Sequence, residues 1–249
     1  MLSPHQLWRP PPRQLTLEDT VVHIWSAVLD LPQARTSELA EACSPEEHAR
    51  ARRFRFEQHK QRFLARRGIL RTILSRYGAG APQHQRFTST TYGRPALEPL
   101  PDQPAVEFNT SHSQALFLCA VARTLTVGVD VEFVRAMRDA EQVAARFFAP
   151  GEYAAWRSLS GQDRLEGFFV CWTRKEAYIK ATGEGLTRPL DSFEVSLRPE
   201  ERPRLLHDAR DPQNVSRFGF HDLRPAAGYV ASLAVQGRNA SIECWQWDA

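Results

Sequence analysis

Apolar and polar positions alternate along several short segments of the chain, and this period of two predicts β-strands. The first segment, residues 21–29, is rich in β-branched and aromatic residues, which strands favour. Further strands are predicted over residues 86–91, 106–110, 116–123, 126–133, 192–197, 217–223, 229–235 and 241–247. The alternation in the later segments is typical of antiparallel sheets.

Between these strands, apolar residues recur at the spacing of a helix. Ser44, Pro45 and Glu47 form the start signal of a helix with a capping box. A basic stretch follows, and helical spacing then continues from Phe63 until Gly78 ends it. Other helices are predicted over residues 139–148, 152–159 and 163–181.

Strands, helices and more strands thus occur in this order twice. We predict an α+β protein with an extended, proline-rich lead-in (1–20) and two α/β subdomains of similar size (21–124 and 125–249). No apolar run reaches the roughly 18 residues of a membrane span, and the N-terminus has no apolar signal region. Both observations predict a cytoplasmic protein. The four cysteines are widely spaced without a CxxC pair, and free thiols are expected in that compartment.

The net charge of +3 conceals a strongly basic segment, residues 50–76. It contains ten Lys or Arg residues and one acid, Glu57. Such an excess indicates an anionic ligand or partner, and nucleic acid, a phosphorylated cofactor and an acidic protein all fit. Arginines such as Arg50 and Arg62 can bind phosphate in bidentate fashion, although a solvated basic helix face explains the same residues.

Two carboxylates share one face of the strand predicted over residues 126–133. Because side chains alternate across a strand, Asp130 and Glu132 project together with Gly128, and valines occupy the other face. Neighbouring carboxylates repel each other unless a cation lies between them, and magnesium prefers oxygen ligands. A strand with a solvated acidic face is the alternative interpretation.

A second charged motif lies on the long helix predicted over residues 163–181. Trp172, Glu176 and Lys180 follow one another at intervals of four and therefore lie near one helix face. A surface Glu–Lys pair is the common explanation of this spacing. Phe168 and Phe169 argue against that explanation, because they indicate a largely buried helix.

A third motif, Asn-Thr-Ser-His-Ser over residues 109–113, begins in the strand predicted over residues 106–110 and continues past its end. Ser111 and His112 can contact a phosphate group through a hydroxyl and an imidazole. A polar turn, or a Ser/His nucleophile pair, would use the same residues. The nucleophile pair is disfavoured because the chain has no GxSxG elbow.

Together and in this order, these motifs resemble those of the Sfp-type 4′-phosphopantetheinyl transferase family, over about residues 21–235. Residues 128–132, Gly-Val-Asp-Val-Glu, and 172–180, Trp-Thr-Arg-Lys-Glu-Ala-Tyr-Ile-Lys, are similar to its signatures G-[VI]-D-[VI]-E and W-[ST]-x-K-E-[AS]-x-x-K. Residues 93–95, 109–113 and 44–76 resemble its upstream motifs and its basic cofactor-binding helix. The resemblance implies a fold of two α/β subdomains related by a pseudo-two-fold axis.

The resemblance also implies transfer of the 4′-phosphopantetheine group of coenzyme A to a serine of an apo acyl- or peptidyl-carrier protein, releasing adenosine 3′,5′-bisphosphate. Asp130, Glu132 and Glu176 match the Mg²⁺ ligands, and Asp130, Glu176 and Lys180 are the implied catalytic residues. The implied contacts to coenzyme A are Lys175 and Lys180 at the pyrophosphate, Ser111 and His112 at the phosphates, Arg50 and Arg62 at the 3′-phosphate, and Gly93, Arg94 and Pro95 at the adenine.

Two positions depart from the family pattern. Arg94 stands where the family often has Lys, and Glu47 stands where some members have a basic residue. The carrier is expected to dock against residues 133–148, and either Glu176 or a metal-bound water to serve as the base. We expect a cytoplasmic monomer without nucleic-acid or membrane partners.

Three other functions are compatible with parts of the pattern. A nucleic-acid-binding protein would use residues 50–76 but would leave the carboxylates without a role. A magnesium-dependent phosphoesterase would use the same carboxylates and act without a carrier. A non-catalytic interaction protein would not need Lys175, Glu176 and Lys180 together.

Overall fold

The computed structural model describes residues 8–89, 93, 95–98 and 105–248. Its strands are β1 (Val21–Val28), β2 (Phe87–Ser89), β3 (Pro95–Leu97), β4 (Glu107–Ser113), β5 (Leu116–Ala122), β6 (Val127–Phe133), β7 (Phe193–Val195), β8 (Leu205–Asp208), β9 (Phe218–Leu223), β10 (Tyr229–Gln236) and β11 (Ser241–Gln246). Its α-helices are α1 (Gln33–Ala40), α2 (Pro45–Ala51), α3 (Glu57–Ser75), α4 (Ala140–Phe147), α5 (Pro150–Arg157), α6 (Gly161–Thr182) and α7 (Asn214–Arg217). The predicted α+β class is confirmed.

The first sheet has the strand order β11-β1-β5-β4. Its pairs are antiparallel except for β1 and β11, which run parallel with Trp25 opposite Trp245. The last strand of the chain therefore belongs to the first sheet. Strand β11 returns to pair with β1 after the second sheet is complete, and the division at residue 124 stays a prediction.

The second sheet has the order β6-β10-β9 and is antiparallel throughout, with Asp130 opposite Ser232. Two further pairs, β2 with β3 and β7 with β8, form small antiparallel ribbons. The strand β6 lies at the edge of the second sheet and β4 at the edge of the first. These two edges are close to each other, and the site described below lies where they meet.

The two sheets pack face to face, and each carries one long helix on its outer side. The apolar layer between the sheets includes Val127, Val129 and Val131, which are fully buried. Helix α3 covers the first sheet with a core that includes Trp25, and α6 covers the second. Burial of one sheet face against the other and of the opposite face against a helix explains the strong apolar character of β5, whose residues are all buried.

Two predicted boundaries were wrong. Strand β4 continues through Ser113, although residues 111–113 were expected to follow the strand, because their backbone pairs with β5 up to Leu116. The basic segment is split between α2 and α3, since the chain leaves helical geometry over residues 52–56. Helix α1 and strand β8 were not predicted. None of the helices that the structure describes has the length and apolarity required to cross a bilayer.

Candidate functional site

The carboxylate face of β6 packs directly against helix α6. A Cβ on Gly128 would lie 2.1 Å from the carbonyl oxygen of Ala177 and 2.4 Å from the amide nitrogen of Ala181. Only glycine permits this distance between the two backbones. The close contact of strand and helix brings Glu176 and Lys180 of α6 to the side chains of Asp130 and its neighbours.

Asp130 is nearly buried and is only partly satisfied by its neighbours. Its Oδ1 accepts hydrogen bonds from Ser111 Oγ and Lys180 Nζ, both at 2.7 Å. Its Oδ2 is buried and has no partner among the described residues. A buried carboxylate oxygen without a partner is costly, so this atom is available for a further positive group.

Side chains of β4 join the edge of the first sheet to the edge of the second. Asn109 Oδ1 accepts the N–H of Val129 at 3.0 Å, and Ser113 Oγ accepts the N–H of Phe133 at 3.1 Å. The Ser113 hydroxyl also donates to Glu132 Oε2 at 2.8 Å. The edges of the two sheets are therefore joined by hydrogen bonds from the backbone of β6 to side chains of β4, where a continuous sheet would have backbone hydrogen bonds. The serines of residues 109–113 also orient the carboxylates.

The three carboxylates are coupled electrostatically. Burial, followed by the charge of Asp130 and that of Glu132, raises the pKa of Glu176 to about 7, although Lys180 opposes the shift. Burial and the charge of Asp130 also raise the pKa of Glu132, against the Ser113 hydrogen bond. The site therefore holds more negative charge than Lys180 compensates.

This donor set fits a hard divalent cation. Carboxylate oxygens are the ligands that Mg²⁺ prefers, and the unpartnered Oδ2 of Asp130 supplies one. Within the described ranges, no three side chains of the ligating types are already assembled around a common point. At Asp130, the ammonium group of Lys180 supplies a positive charge.

A cavity of about 560 Å³ opens beside these groups, between β4 and α6. Its lining residues are Gly93, Pro95, Phe108, Asn109, Thr110, Glu176, Ile179, Lys180, Gly183, Glu184, Gly185 and Thr187. Two of the predicted adenine-contacting residues, Gly93 and Pro95, therefore lie here with Glu176. Arg94 falls outside the described residues.

A second cavity, of about 820 Å³, adjoins the first and shares Pro95 and Thr110 with it. Five arginines line it: Arg50, Arg66, Arg67, Arg71 and Arg86. Of these, only Arg50 was predicted as a site residue from the sequence. The helical period within the basic segment could have indicated Arg67 and Arg71, because they are four residues apart and lie on the same face of α3.

Glu47 holds two of these arginines in place. The predicted capping box is confirmed, with Ser44 N donating to Glu47 Oε2 at 2.8 Å. The same carboxylate also forms ion pairs with Arg67 and Arg71. Glu47 therefore reduces the net charge of the cavity but fixes the direction of the two guanidinium groups.

His112 contacts the guanidinium group of Arg66, with 3.2 Å between Nδ1 and Nη1. A guanidinium group can only donate, so Nδ1 is the acceptor and the ring carries its proton on Nε2. Burial, with the charges of Arg66 and Lys180, lowers the pKa of His112 to about 4. The imidazole is therefore neutral at physiological pH and offers an N–H donor at Nε2.

Three residues expected at coenzyme A have other partners. Lys175 is fully buried and donates to both carboxylate oxygens of Glu152, at 2.7 and 2.6 Å. Arg62 forms two hydrogen bonds of 2.6 Å with Asp30. The hydroxyl of Ser111 donates to Asp130 instead of lining either cavity. A hydrogen bond within the protein does not exclude a contact to coenzyme A, and Arg62 has N–H groups beyond the two bonded to Asp30. The roles of these three side chains at coenzyme A therefore stay predictions.

Comparisons with known proteins point to one family. Residues 126–234 match the family description "4′-phosphopantetheinyl transferase superfamily", and residues 32–124 match "4′-phosphopantetheinyl transferase, N-terminal". The chain is 40% identical to the 4′-phosphopantetheinyl transferase HetI of Nostoc sp. over 240 residues, which cover 96% of this chain and 98% of that relative. It is 30% identical to the 4′-phosphopantetheinyl transferase Sfp of Bacillus subtilis over 198 residues, covering 78% and 86%.

The crystal structure of Thermotoga maritima holo-[acyl-carrier-protein] synthase (AcpS) matches over 45% of this chain and 63% of its own, with a TM-score of 0.36 and 24% sequence identity.

Proposed function

The chain belongs to the 4′-phosphopantetheinyl transferase superfamily, and from this premise we propose how its cleft binds its substrates and divides the catalytic work. As a member it transfers the phosphopantetheine group of coenzyme A to a carrier protein, so coenzyme A and a carrier are its partners. The observation that carries the proposal is the packing of α6 on β6, which brings Lys180 to Asp130 and places Glu176 in a cavity that continues into an arginine-lined one.

Asp130, Glu132 and Glu176 would hold a magnesium ion. The unpartnered Oδ2 of Asp130 and the raised pKa values of the two glutamates support this assignment, because both indicate negative charge without a counter-ion. When bound, the ion would neutralise charge on the pyrophosphate.

Coenzyme A would extend across both cavities. We place its pyrophosphate near Lys180 and His112, whose neutral ring donates through Nε2, and its adenine against Gly93 and Pro95. The 3′-phosphate would lie in the arginine-lined cavity with Arg50. The predicted contacts of Arg62, Lys175 and Ser111 to coenzyme A would require these side chains to exchange their partners Asp30, Glu152 and Asp130.

In the reaction, the hydroxyl oxygen of the carrier serine forms a bond to the β-phosphorus of coenzyme A. The bond from that phosphorus to the bridging oxygen breaks, and adenosine 3′,5′-bisphosphate leaves. Glu176, which lines the cavity, is the residue that we assign as the base that takes the serine proton. Lys180 would stabilise the negative charge on the leaving side.

Two features of the structure disfavour the rival functions. Four of the arginines in the basic segment, Arg50, Arg66, Arg67 and Arg71, line a cavity, whereas a nucleic-acid-binding surface would need them to face the solvent along one open stripe. The same cavity is joined to the carboxylate site, which a phosphoesterase acting on a simple ester would not require. We further expect the enzyme to act as a cytoplasmic monomer.

The proposal is tested by intact-mass analysis of apo carrier proteins incubated with coenzyme A, Mg²⁺ and the enzyme. The expected result is one phosphopantetheine adduct per carrier, lost with Glu176→Gln and kept with the exposed control Lys60→Met. Release of phosphate from coenzyme A in the absence of any carrier would instead indicate the phosphoesterase. Absence of adducts across carriers from fatty acid, polyketide and nonribosomal peptide pathways would contradict the proposal.

A further inference from the structure

Two exposed phenylalanines lie in the loop between α2 and α3. This segment, which we call the aromatic loop, has the sequence Arg52-Arg53-Phe54-Arg55-Phe56, and all five residues are exposed. The side chain of Phe56 is 57% exposed and that of Phe54 is 36% exposed. Neither ring is required by the helical spacing of α3, whose apolar core positions begin at Phe63.

The aromatic loop is ordered by local contacts. The N–H of Arg53 bonds to the carbonyl of Arg50 at 3.1 Å, and that of Phe54 to the carbonyl of Ala51 at 3.2 Å. The ring of Phe54 packs on that of the buried Phe63, with 5.4 Å between centroids. The loop therefore presents its exposed rings on a fixed backbone, which lowers the entropy cost of binding a partner.

The charge of the loop defines the partner. Arg52, Arg53 and Arg55 form no ion pair within the part of the chain that the structure describes, and Arg55 lies 5.4 Å over the ring of Phe56. The neighbouring acid, Glu57, is bonded to Lys60 and Gln61. An aromatic centre with unpaired arginines around it fits an acidic protein surface that has an apolar spot.

The position of the loop connects it to the reaction site. A cavity of about 280 Å³ separates the loop from His112, and it is lined by Phe54, His59, Arg62, Phe63, Arg66, His112 and Gln114. Arg66 and Phe63 also line the arginine-rich cavity. A partner seated on the loop would therefore lie beside the groups assigned to the pyrophosphate, which the serine of a protein substrate must reach.

We propose that the aromatic loop is a docking surface for the acidic carrier protein, with Phe56 as the apolar anchor and Arg52, Arg53 and Arg55 as its charged rim. The proposal rests on the proposed function and adds a first-half contact to the second-half contact expected at residues 133–148. In that second segment, Phe148 is buried in the core and Phe147 packs on Trp172. Both rings therefore have contacts within the protein, whereas the ring of Phe56 in the aromatic loop is exposed.

Binding is measured by fluorescence anisotropy of a labelled apo acyl-carrier protein, without coenzyme A. Phe56→Ser is suited to the test because Phe56 is the N-cap of α3, where serine is favoured, so folding is preserved. For Phe56→Ser we expect the Kd for the carrier protein to rise on the order of tenfold. Phe56→Leu should raise Kd less than Phe56→Ser does. The double variant Arg53→Glu with Arg55→Glu should bind the carrier more weakly, and its Kd should depend less on salt. The matched control is Leu206→Ser, which removes another exposed apolar side chain (41%) on β8.

Turnover separates docking from catalysis. For Phe56→Ser, the KM for the carrier should rise with Kd, while kcat at saturating carrier and the KM for coenzyme A stay within about twofold of wild type. An unchanged Kd for Phe56→Ser, or an equal loss for Leu206→Ser, overturns the proposal. The proposal is also overturned if Phe56→Ser keeps its affinity for the carrier but loses binding to single-stranded DNA or loses self-association. Normal carrier binding without any transfer would reject the proposed function and leave the docking surface standing.

Discussion

Glu176 makes the site depend on protonation. Its carboxyl group has a pKa of about 7 because it is buried close to Asp130 and Glu132. Binding of Mg²⁺ should therefore displace a proton below pH 7, and the affinity for Mg²⁺ should rise with pH until about 7 and then level off. Isothermal titration at pH 6 in buffers of different ionisation enthalpy measures this proton release. Glu176→Gln should bind more weakly, without proton release.

The same shift has a consequence for stability. Because the pKa of Glu176 is raised above its ordinary value of 4.5, the metal-free protein is favoured below that value and loses this contribution as pH rises through about 7. Thermal unfolding of wild type and Glu176→Gln across pH 4.5 to 8 should show a larger loss in wild type, because the raised pKa of Glu132 contributes to both proteins. Identical pH profiles would mean that Glu176 is solvated and not coupled to the other carboxylates.

If Glu132 binds the cation as proposed, Ser113 should affect that binding through its hydrogen bond to Glu132. Removal of its hydroxyl in Ser113→Ala leaves Glu132 without its 2.8 Å donor and the N–H of Phe133 without an acceptor. We expect about 10–100-fold weaker binding of Mn²⁺, measured by the free-ion signal in electron paramagnetic resonance. Ser113→Thr should keep most of the affinity, and Ser216→Ala, which removes an exposed serine hydrogen bond, should keep all of it. An unchanged affinity for Mn²⁺ in Ser113→Ala would mean that Ser113 only connects the two sheets and does not affect cation binding.

At the scale of elements, helix α6 has two functions on two sides. One side presents Glu176 and Lys180 to β6, and the other fixes the helix through buried ion pairs, among them Lys175 with Glu152. Glu152 also accepts the N–H groups of Ala149 and Val195. The motif over residues 172–180 therefore combines the groups proposed for the reaction with the contacts that hold α6 in place.

Replacement of Lys175 tests this division. Lys175→Met leaves Glu152 buried without its cation, so the free energy of unfolding should fall by about 3–5 kcal/mol. The KM for coenzyme A, measured on the folded protein below its unfolding temperature, should stay near that of wild type. Lys60→Met, which breaks an exposed pair with Glu57, is the control and should change neither quantity. A raised KM for coenzyme A at unchanged stability would indicate instead that Lys175 contacts the pyrophosphate.

For the whole molecule, the return of β11 to the first sheet ties the end of the chain to its beginning. Trp245 and Trp247 lie in the core that α3 covers, at 3% and 8% exposure. Deletion of residues 241–249 should prevent cooperative folding, because each buried tryptophan contributes about 3–5 kcal/mol and the edge of β1 is uncovered. Thermal unfolding followed by near-ultraviolet circular dichroism measures this. Deletion of residues 248–249 alone should be tolerated, and retained cooperativity without β11 would contradict the argument.

Local patterns determined much of this protein. The alternation along β6 placed Asp130 and Glu132 on one face and three valines on the other, and the capping box at Ser44 began α2. Both depend on neighbours within a few residues, which geometry fixes once a strand or helix forms. The order of the charged motifs was sufficient to indicate the family.

Tertiary structure alone decided which partners the charged groups have. Lys175, Arg62 and Ser111 carry the donors that phosphate binding requires, yet each is bonded to a carboxylate distant in the chain. Their sequence neighbourhoods do not reveal those partners, because the contacts exist only after α6, α3 and β4 pack against other elements. The return of β11 to β1 has the same origin, since strand pairing depends on edges that form when the two sheets are assembled.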